Sequence, residues 1–195
     1  SWELLSAPSC PRSTAAASRS LRSNREDFTL LLGRGRGSRA GMLGLTMNEG
    51  ELDRPDVQQL LALHVAAMRA ASPPEACHVL PGAGLAEPGI TFVTARAGGQ
   101  LIAIGALKEL DSTHGEIKSM RVAPAALGKG AGKAMLDHLL GLARNREYSR
   151  VSLETGSTEE FAPALRLYER AGFTPCAPFG GYPSTPFTRF LTLTL

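Results

Sequence analysis

The segment VAPAALGKGAGKA, residues 122–134, joins a strand-like run to a helix-like run. Its small and basic residues are Gly128, Gly130, Gly132, Lys129 and Lys133. Glycine lets the backbone approach a ligand closely, and the free N–H groups at the start of a helix favour anions. The segment therefore predicts a site for a phosphate-bearing ligand. A glycine-rich turn that binds nothing is the alternative.

Two common nucleotide-binding motifs do not fit this loop. A Walker loop needs glycine at position 127 and serine or threonine at position 134, where the chain has Leu127 and Ala134. The dinucleotide pattern G-x-G-x-x-G needs a third glycine where Lys133 or Met135 stands. The loop therefore matches neither of the two common nucleotide-binding motifs.

The periodicity on both sides of the loop predicts an α/β fold with a mixed sheet. Strand-like runs occur at Leu43–Met47, Ile90–Arg96, Gln100–Leu110, Glu116–Val122, Ser149–Thr155, Phe173–Ala177 and Phe187–Leu195. Apolar residues recur at helical spacing after Asp53 or Asp56, either of which can cap the helix, as far as Met68. They do so again after Pro124. A short helix or loop is expected through Cys77–Leu80, and a last helix at Ala162–Arg170 that ends before Gly172.

Residues 1–41 differ in composition from residues 42–195. They are rich in Ser, Arg, Ala and Gly, and they carry seven Arg against three acidic residues, although the whole chain has a net charge of only +3. Such a composition buries little apolar area, which predicts a disordered, basic leader. An organelle transit peptide is one interpretation, and a non-native extension ahead of Met42 or Met47 is the favoured one. The folded domain is expected at residues 42–195.

The bulk composition excludes several classes of protein. No apolar run approaches the roughly 18–20 residues of a membrane helix. The folded part has almost no net charge, which argues against a nucleic-acid-binding domain. The three cysteines, Cys10, Cys77 and Cys176, lie far apart and predict neither a metal site nor a disulfide framework. We expect a cytoplasmic protein without a metal.

Two motifs resemble those of the GNAT superfamily of acetyl-CoA-dependent N-acetyltransferases. The loop resembles the family's pyrophosphate loop, Arg/Gln-x-x-Gly-x-Gly/Ala, with Gly130 and Gly132 at the matching positions and Leu127 in place of Arg or Gln. The run from Ala164 to Phe173 resembles the second family motif, A-x-x-x-Tyr-x-x-x-Gly-Phe. The blocks SPPE, GALKEL, GEIKSMR, LETGS and PFGGY resemble a bacterial branch of poorly defined substrate, so the likeness spans about residues 43–195.

The resemblance implies a GNAT fold, in which helices flank a central, mixed, splayed sheet. Two neighbouring parallel strands, Glu116–Val122 and Ser149–Thr155, would separate, and the pantetheine arm of acetyl-CoA would lie between them. The implied cofactor-binding residues are Met120, Arg121, Val122, Leu127, Gly128, Lys129, Gly130, Ala131, Gly132 and Lys133. The diphosphate would lie on residues 128–133.

Acetyl transfer to an amine needs a base for the amine, a donor for the thioester oxygen and an acid for the leaving thiolate. The resemblance implies Glu116 as the base and Tyr168 as the acid, with a backbone N–H near Met120 for the oxygen. An ion pair between Glu116 and Lys118 is an equal alternative, and Glu154 with a water chain is the fallback base. The alternative role for Tyr168 is that of an aromatic residue in the core.

The acceptor is expected to be a primary amine of a small molecule, attacked directly in a ternary complex. Lys118 is a candidate to hold an acidic group of that acceptor, with Arg121 expected on the opposite face, and Tyr182 is a candidate to shape the pocket. His64 is expected to be a core histidine. The alternatives are a non-catalytic acyl-CoA-binding module and a protein N-acetyltransferase. Neither a nucleic acid nor a membrane is expected as a partner. The protein could also form a homodimer, which the sequence does not decide.

Overall fold

The computed structural model describes residues 44–73, 78–80 and 82–195. The predicted leader, residues 1–41, therefore lies outside the described residues. So do the beginning of the first predicted strand and part of the segment Cys77–Leu80, whose described residues form no regular structure.

In the part of the chain that the structure describes, seven strands form one mixed sheet in the order β1-β2-β3-β4-β5-β7-β6. The strands are β1 (Leu45–Glu49), β2 (Ile90–Ala97), β3 (Gln100–Asp111), β4 (His114–Val122), β5 (Arg150–Gly156), β6 (Thr174–Pro175) and β7 (Thr188–Thr194). Among these described strands, β4 and β5 pair in parallel, and all other neighbours are antiparallel. The predicted mixed α/β sheet is confirmed.

Helices cover both faces of the sheet. They are α1 (Pro55–Ala71), α2 (Ala131–Asn145) and α3 (Ala162–Arg170), and short 3-10 turns lie at Gly82–Ala86, Pro124–Ala126 and Glu159–Phe161. On one face α1 packs Val57 and Leu61 against the central strands, and on the other face α2 does so with Met135 and Leu139. No helix in the described ranges is apolar over a stretch long enough to cross a bilayer.

Most predicted boundaries lie within two residues of the observed ones, but β6 is shorter than expected. The prediction was Phe173–Ala177, whereas only Thr174–Pro175 pairs with β7. Pro175 has no N–H to donate, which confines it to an edge strand. Phe173 is buried instead, and its ring lies 5.8 Å from the ring of Tyr168.

A β-bulge interrupts β4 at Ser119. Lys118 pairs with Ala106 and Arg121 pairs with Ile104, so two residues of β4 lie opposite one residue of β3. Ser119 has a φ of 51°, in the left-handed region that side chains rarely adopt. An extra residue in a strand reverses the alternation of side chains beyond it.

The bulge corrects two expectations about which side chains share a face. Ile104 and Ala106 belong to the core beneath α1, so their partners Arg121 and Lys118 both lie on the α1 face. The expectation that Arg121 faces away from Lys118 is therefore wrong. Met120 and Val122 pack against the core beneath α2 and α3. Strand alternation alone predicts Met120 and Val122 on the same face as Glu116 and Lys118, and this prediction is also wrong because the bulge reverses the alternation.

Candidate functional site

The site begins where β4 and β5 separate. The two strands pair from His114 with Arg150 to Ile117 with Leu153, and no pairing continues beyond Ile117. β4 then passes through its bulge, while β5 stays hydrogen-bonded to β7 as far as Gly156. The splayed sheet expected from the resemblance is confirmed.

A cavity of about 210 Å³ lies at this opening. Its walls come from α1, β4, β5 and α3, and the lining residues include His64, Glu116, Lys118, Met120, Arg121, Glu154 and Tyr168. Both predicted catalytic residues thus line one cavity. Val122, Tyr182 and the glycine loop do not line it, although Tyr182 contacts Glu116.

Glu116 is almost fully buried, with 1% of its surface exposed. Its Oε1 accepts hydrogen bonds from Lys118 Nζ at 2.8 Å and from the Tyr182 hydroxyl at 2.8 Å. Lys118 Nζ also donates to the Tyr182 oxygen. Burial, followed by the nearby Glu116 carboxylate, raises the pKa of Tyr182, so this hydroxyl stays protonated and continues to donate.

The second carboxylate oxygen of Glu116 is available. Oε2 is buried and has no hydrogen-bond partner among the residues that the structure describes. A buried carboxylate oxygen without a partner is costly unless a ligand or water satisfies it. The ion pair considered from the sequence therefore exists, and it leaves one oxygen of the same carboxylate free to accept a proton.

Glu154 supplies a second carboxylate to the cavity from β5. Its Oε1 lies 2.8 Å from His78 Nδ1, in the segment between α1 and β2. The His78 ring in turn lies 5.0 Å from the Tyr182 ring. The sequence did not indicate His78, because nothing in its local pattern connects it with a residue 76 positions away.

Tyr168 projects from α3 towards the splayed strands. Its hydroxyl lies 3.8 Å from Met120 Sδ, a weak acceptor that leaves the hydroxyl free for a stronger partner. Burial raises the pKa of Tyr168 to about 12. The hydroxyl therefore carries its proton throughout the neutral range and can act as a donor.

Gly156 allows two aromatic rings to form one wall of the cavity. A Cβ at this position would lie 2.5 Å from the Phe161 ring and 2.7 Å from the Phe187 ring, so only glycine fits. The two rings meet edge to face with centroids 5.6 Å apart, and both line the cavity. The Phe161 ring makes this part of the wall apolar.

The glycine loop presents free backbone donors at the start of α2. Gly128 and Gly130 have φ values of 72° and 85°, which other residues adopt only with strain. In the described part of the chain, no backbone acceptor is bonded to the N–H groups of Gly128 or of residues 130–133. Gly130 caps the helix without any side-chain hydrogen bond. These donors form an anion site of the kind found at helix N-termini.

The side chains of the loop contribute less than the sequence suggested. Lys133 Nζ lies 2.5 Å from an Asp137 carboxylate oxygen, and Lys129 Nζ donates to the Ala125 carbonyl at 2.8 Å. Both contacts are exposed, so a stronger anion can replace them at little cost. Leu127 is 64% exposed and adds no donor.

Comparison with known proteins agrees with this arrangement. Residues 57–173 match the Acetyltransferase (GNAT) family. The uncharacterized N-acetyltransferase YedL of Escherichia coli (strain K12) is 45% identical over 150 residues, covering 77% of this chain and 94% of YedL. The uncharacterized N-acetyltransferase YsnE of Bacillus subtilis (strain 168) is 46% identical over 142 residues, covering 73% and 94% of the two chains.

A solved structure shares the fold. The Bacillus subtilis acetyltransferase in complex with CoA superposes with a TM-score of 0.60 at 20% identity, covering 77% of this chain and 99% of its own. The family match covers more than half of this chain, and the two bacterial relatives align along almost their whole length. The chain therefore belongs to the GNAT family of acetyltransferases, which use acetyl-CoA.

Proposed function

We propose that this enzyme transfers the acetyl group of acetyl-CoA to a primary amine of a small molecule, by direct attack in a ternary complex. The observation that carries the proposal is the cavity shared by Glu116 and Tyr168 at the end of the splayed strands. Its volume, about 210 Å³, is below the range of typical ligand pockets, which suits a small acceptor better than a peptide.

Two features of the structure fit acetyl-CoA. The free N–H groups of Gly128 and of residues 130–133 suit its diphosphate, and the gap beyond Ile117 suits its pantetheine arm. Ala123 N–H donates to the Ile102 carbonyl of β3, so the preceding amide, that of Val122, points to the gap side of β4. The backbone of Met120, Arg121 and Val122 would hold the arm.

Replacing Gly132 with proline tests the diphosphate site. Proline is tolerated in the first turn of a helix, so the variant removes one N–H donor and keeps α2. We expect the Kd for CoA, measured by calorimetry, to rise about 10-fold, the effect of losing one hydrogen bond to a charged group.

Gly132→Ala is the matched control for this change. The added Cβ would meet Val122 and Leu167 at ordinary contact distances of 3.4 and 3.5 Å, and the N–H remains. CoA should bind this variant as it binds the wild type. The kcat/KM for acetylpantetheine, which has no diphosphate, should be the same in both variants. An unchanged Kd for CoA in Gly132→Pro would contradict the assignment.

The chemistry follows from the groups that line the cavity. Glu116 Oε2 takes a proton from the acceptor ammonium, and the freed amine attacks the thioester carbonyl carbon. A backbone N–H near Met120 stabilises the developing oxyanion. When the C–S bond breaks, Tyr168 donates its proton to the thiolate. The attacking nitrogen then loses its second proton, which restores the Tyr168 hydroxyl, and Glu116 releases the proton that it took to solvent. The products are an N-acetylated amine and the CoA thiol. Glu154 and a water chain are the alternative route for the first proton.

A panel of acceptors tests the proposal. Purified enzyme with acetyl-CoA is offered small primary amines, peptides with a free N-terminus and lysine-rich peptides, and N-acetyl product and CoA are both measured. We expect equimolar product and CoA with at least one small amine, and a far lower kcat/KM with every peptide. Acetyl-CoA binding without transfer to any amine would instead favour an acyl-CoA-binding module. Preference for a peptide would favour a protein acetyltransferase.

A further inference from the structure

Arg121 is a cation on the cavity wall without an acidic partner among the described residues. The bulge at Ser119 turns its side chain onto the α1 face, beside the cavity. It takes part in none of the ion pairs found within 4.0 Å in the described part of the chain. A guanidinium with no carboxylate nearby is available to an anionic ligand.

His64 is a second unsatisfied group on the same wall. Its side chain projects from α1, only 6% of its surface is exposed, and its buried Nδ1 has no partner among the described residues. Burial, and then the charge of Arg121, lower the pKa of His64 to about 4. The ring is therefore neutral at pH 7, and it lies close enough to Arg121 for the guanidinium charge to lower its pKa. It offers a neutral N–H next to the guanidinium.

The other basic side chains that line the cavity already have partners. Lys118 Nζ lies 2.8 Å from Glu116, and His78 Nδ1 lies 2.8 Å from Glu154. Glu160 also lines the cavity, but it is exposed and belongs to none of these pairs. Among the described residues that line the cavity, Arg121 is therefore the basic side chain without an ion-pair partner within 4.0 Å, and it suits a ligand group with one negative charge.

We propose that the acceptor is a small amine that also carries a carboxylate, such as an amino acid, and that Arg121 binds the carboxylate with His64 as a neighbouring donor. This substrate class rests on the proposed function. Arginine forms two parallel hydrogen bonds with a carboxylate, which fixes the orientation of the ligand as well as its position. With the carboxylate held at Arg121, the amine end of the acceptor extends along the α1 face of β4 towards Glu116 Oε2.

Matched acceptors test the assignment. Each amino acid is compared with its carboxamide, with the amine that has lost the carboxyl group and with the corresponding aminophosphonate. We expect wild-type kcat/KM to be about 10- to 100-fold higher for the amino acid than for its carboxamide, the effect of hydrogen bonds to a charged group. Equal values for the two, or a preference for the phosphonate, would overturn the proposal.

Arg121→Met should remove this preference. We expect kcat/KM for the amino acid to fall about 10- to 100-fold further than kcat/KM for the carboxamide, so that the two values become nearly equal. Arg144→Met, at an exposed position in the last turn of α2, is the matched control and should keep the wild-type preference. An equal loss for both acceptors in Arg121→Met would indicate a structural role and would overturn the carboxylate assignment.

A binding measurement separates this proposal from the proposed function. Calorimetry with N-acetylated amino acids, the products, reports the carboxylate site without any chemistry. We expect wild type to bind the product more tightly than its carboxamide, and Arg121→Met to lose that difference. If no amine is acetylated but this binding difference is present, the proposed function fails and the carboxylate site stands. If amines are acetylated but the difference is absent, the carboxylate site fails.

Discussion

Replacing Tyr168 with phenylalanine should lower kcat for acetyl transfer by about 100-fold and leave the Kd for acetyl-CoA unchanged. The hydroxyl makes a single weak contact in the described part of the chain, to Met120 Sδ at 3.8 Å, so its removal breaks no strong hydrogen bond. The ring keeps its packing against Phe173. The thiolate, however, must then leave without a positioned proton donor.

The pH dependence of kcat in Tyr168→Phe is a second test of the role of Tyr168. Burial raises the pKa of Tyr168 to about 12, so its proton stays in place across the range in which the enzyme is assayed. Tyr168→Phe should therefore lower kcat by the same factor at every pH. The pH values at which kcat rises and falls should stay the same. Stopped-flow measurement of thiol release gives kcat, and calorimetry gives the Kd for acetyl-CoA.

Tyr148→Phe is the matched control for Tyr168→Phe. Tyr148 is also buried, but its hydroxyl donates to Glu109 at 3.2 Å and it does not line the cavity. That variant should lose some stability and keep kcat. If Tyr168→Phe keeps full turnover, the residue is a core aromatic and the acid is some other group.

Local patterns in the sequence were enough to predict most of the fold. The alternation of β2 and β3, and the 3.6-residue period of α2 and α3, predicted elements close to those observed. The α3 boundaries, Ala162–Arg170, agree with the prediction because apolar spacing and Gly172 mark the helix and its end. β6 was overestimated, because the length of an edge strand depends on its neighbour rather than on its own residues.

The orientation of the site residues was harder to predict than their identity. Glu116 and Tyr168 were chosen from motifs, and the structure brings both to one cavity. The face on which Arg121 lies depends on a single bulge at Ser119, and serine carries no signal for a left-handed conformation. The proximity of His64 to Arg121 was unpredictable for the same reason, since it depends on the reversed alternation beyond the bulge.

Glu116→Gln should lower kcat by about 100-fold or more and should also destabilise the enzyme. The substitution keeps the shape of the side chain but removes the charge that faces Lys118, whose side chain is only 8% exposed. Removing one partner of a buried ion pair leaves an uncompensated charge and costs about 3 kcal/mol. Activity lost through a damaged fold must therefore be separated from activity lost through a missing base.

The double variant Glu116→Gln with Lys118→Met makes that separation. It removes both charges and keeps two side chains of similar size, so that no uncompensated charge remains buried. The amide oxygen of the introduced glutamine can still accept the hydrogen bond from Tyr182 that the carboxylate accepts. We expect the double variant to recover the wild-type midpoint of thermal unfolding and to remain as inactive as the single variant.

The comparison with Glu154→Gln completes the assignment. Glu154 is the other carboxylate of the cavity that could relay a proton, and it already accepts from His78. If Glu116 is the base, Glu154→Gln and Lys118→Met alone both keep more kcat than either variant that carries Glu116→Gln. If the double variant regains both stability and turnover, the Glu116–Lys118 pair is structural. In that case Glu154→Gln should lower kcat, because the Glu154 carboxylate would be the remaining acceptor for the proton of the amine.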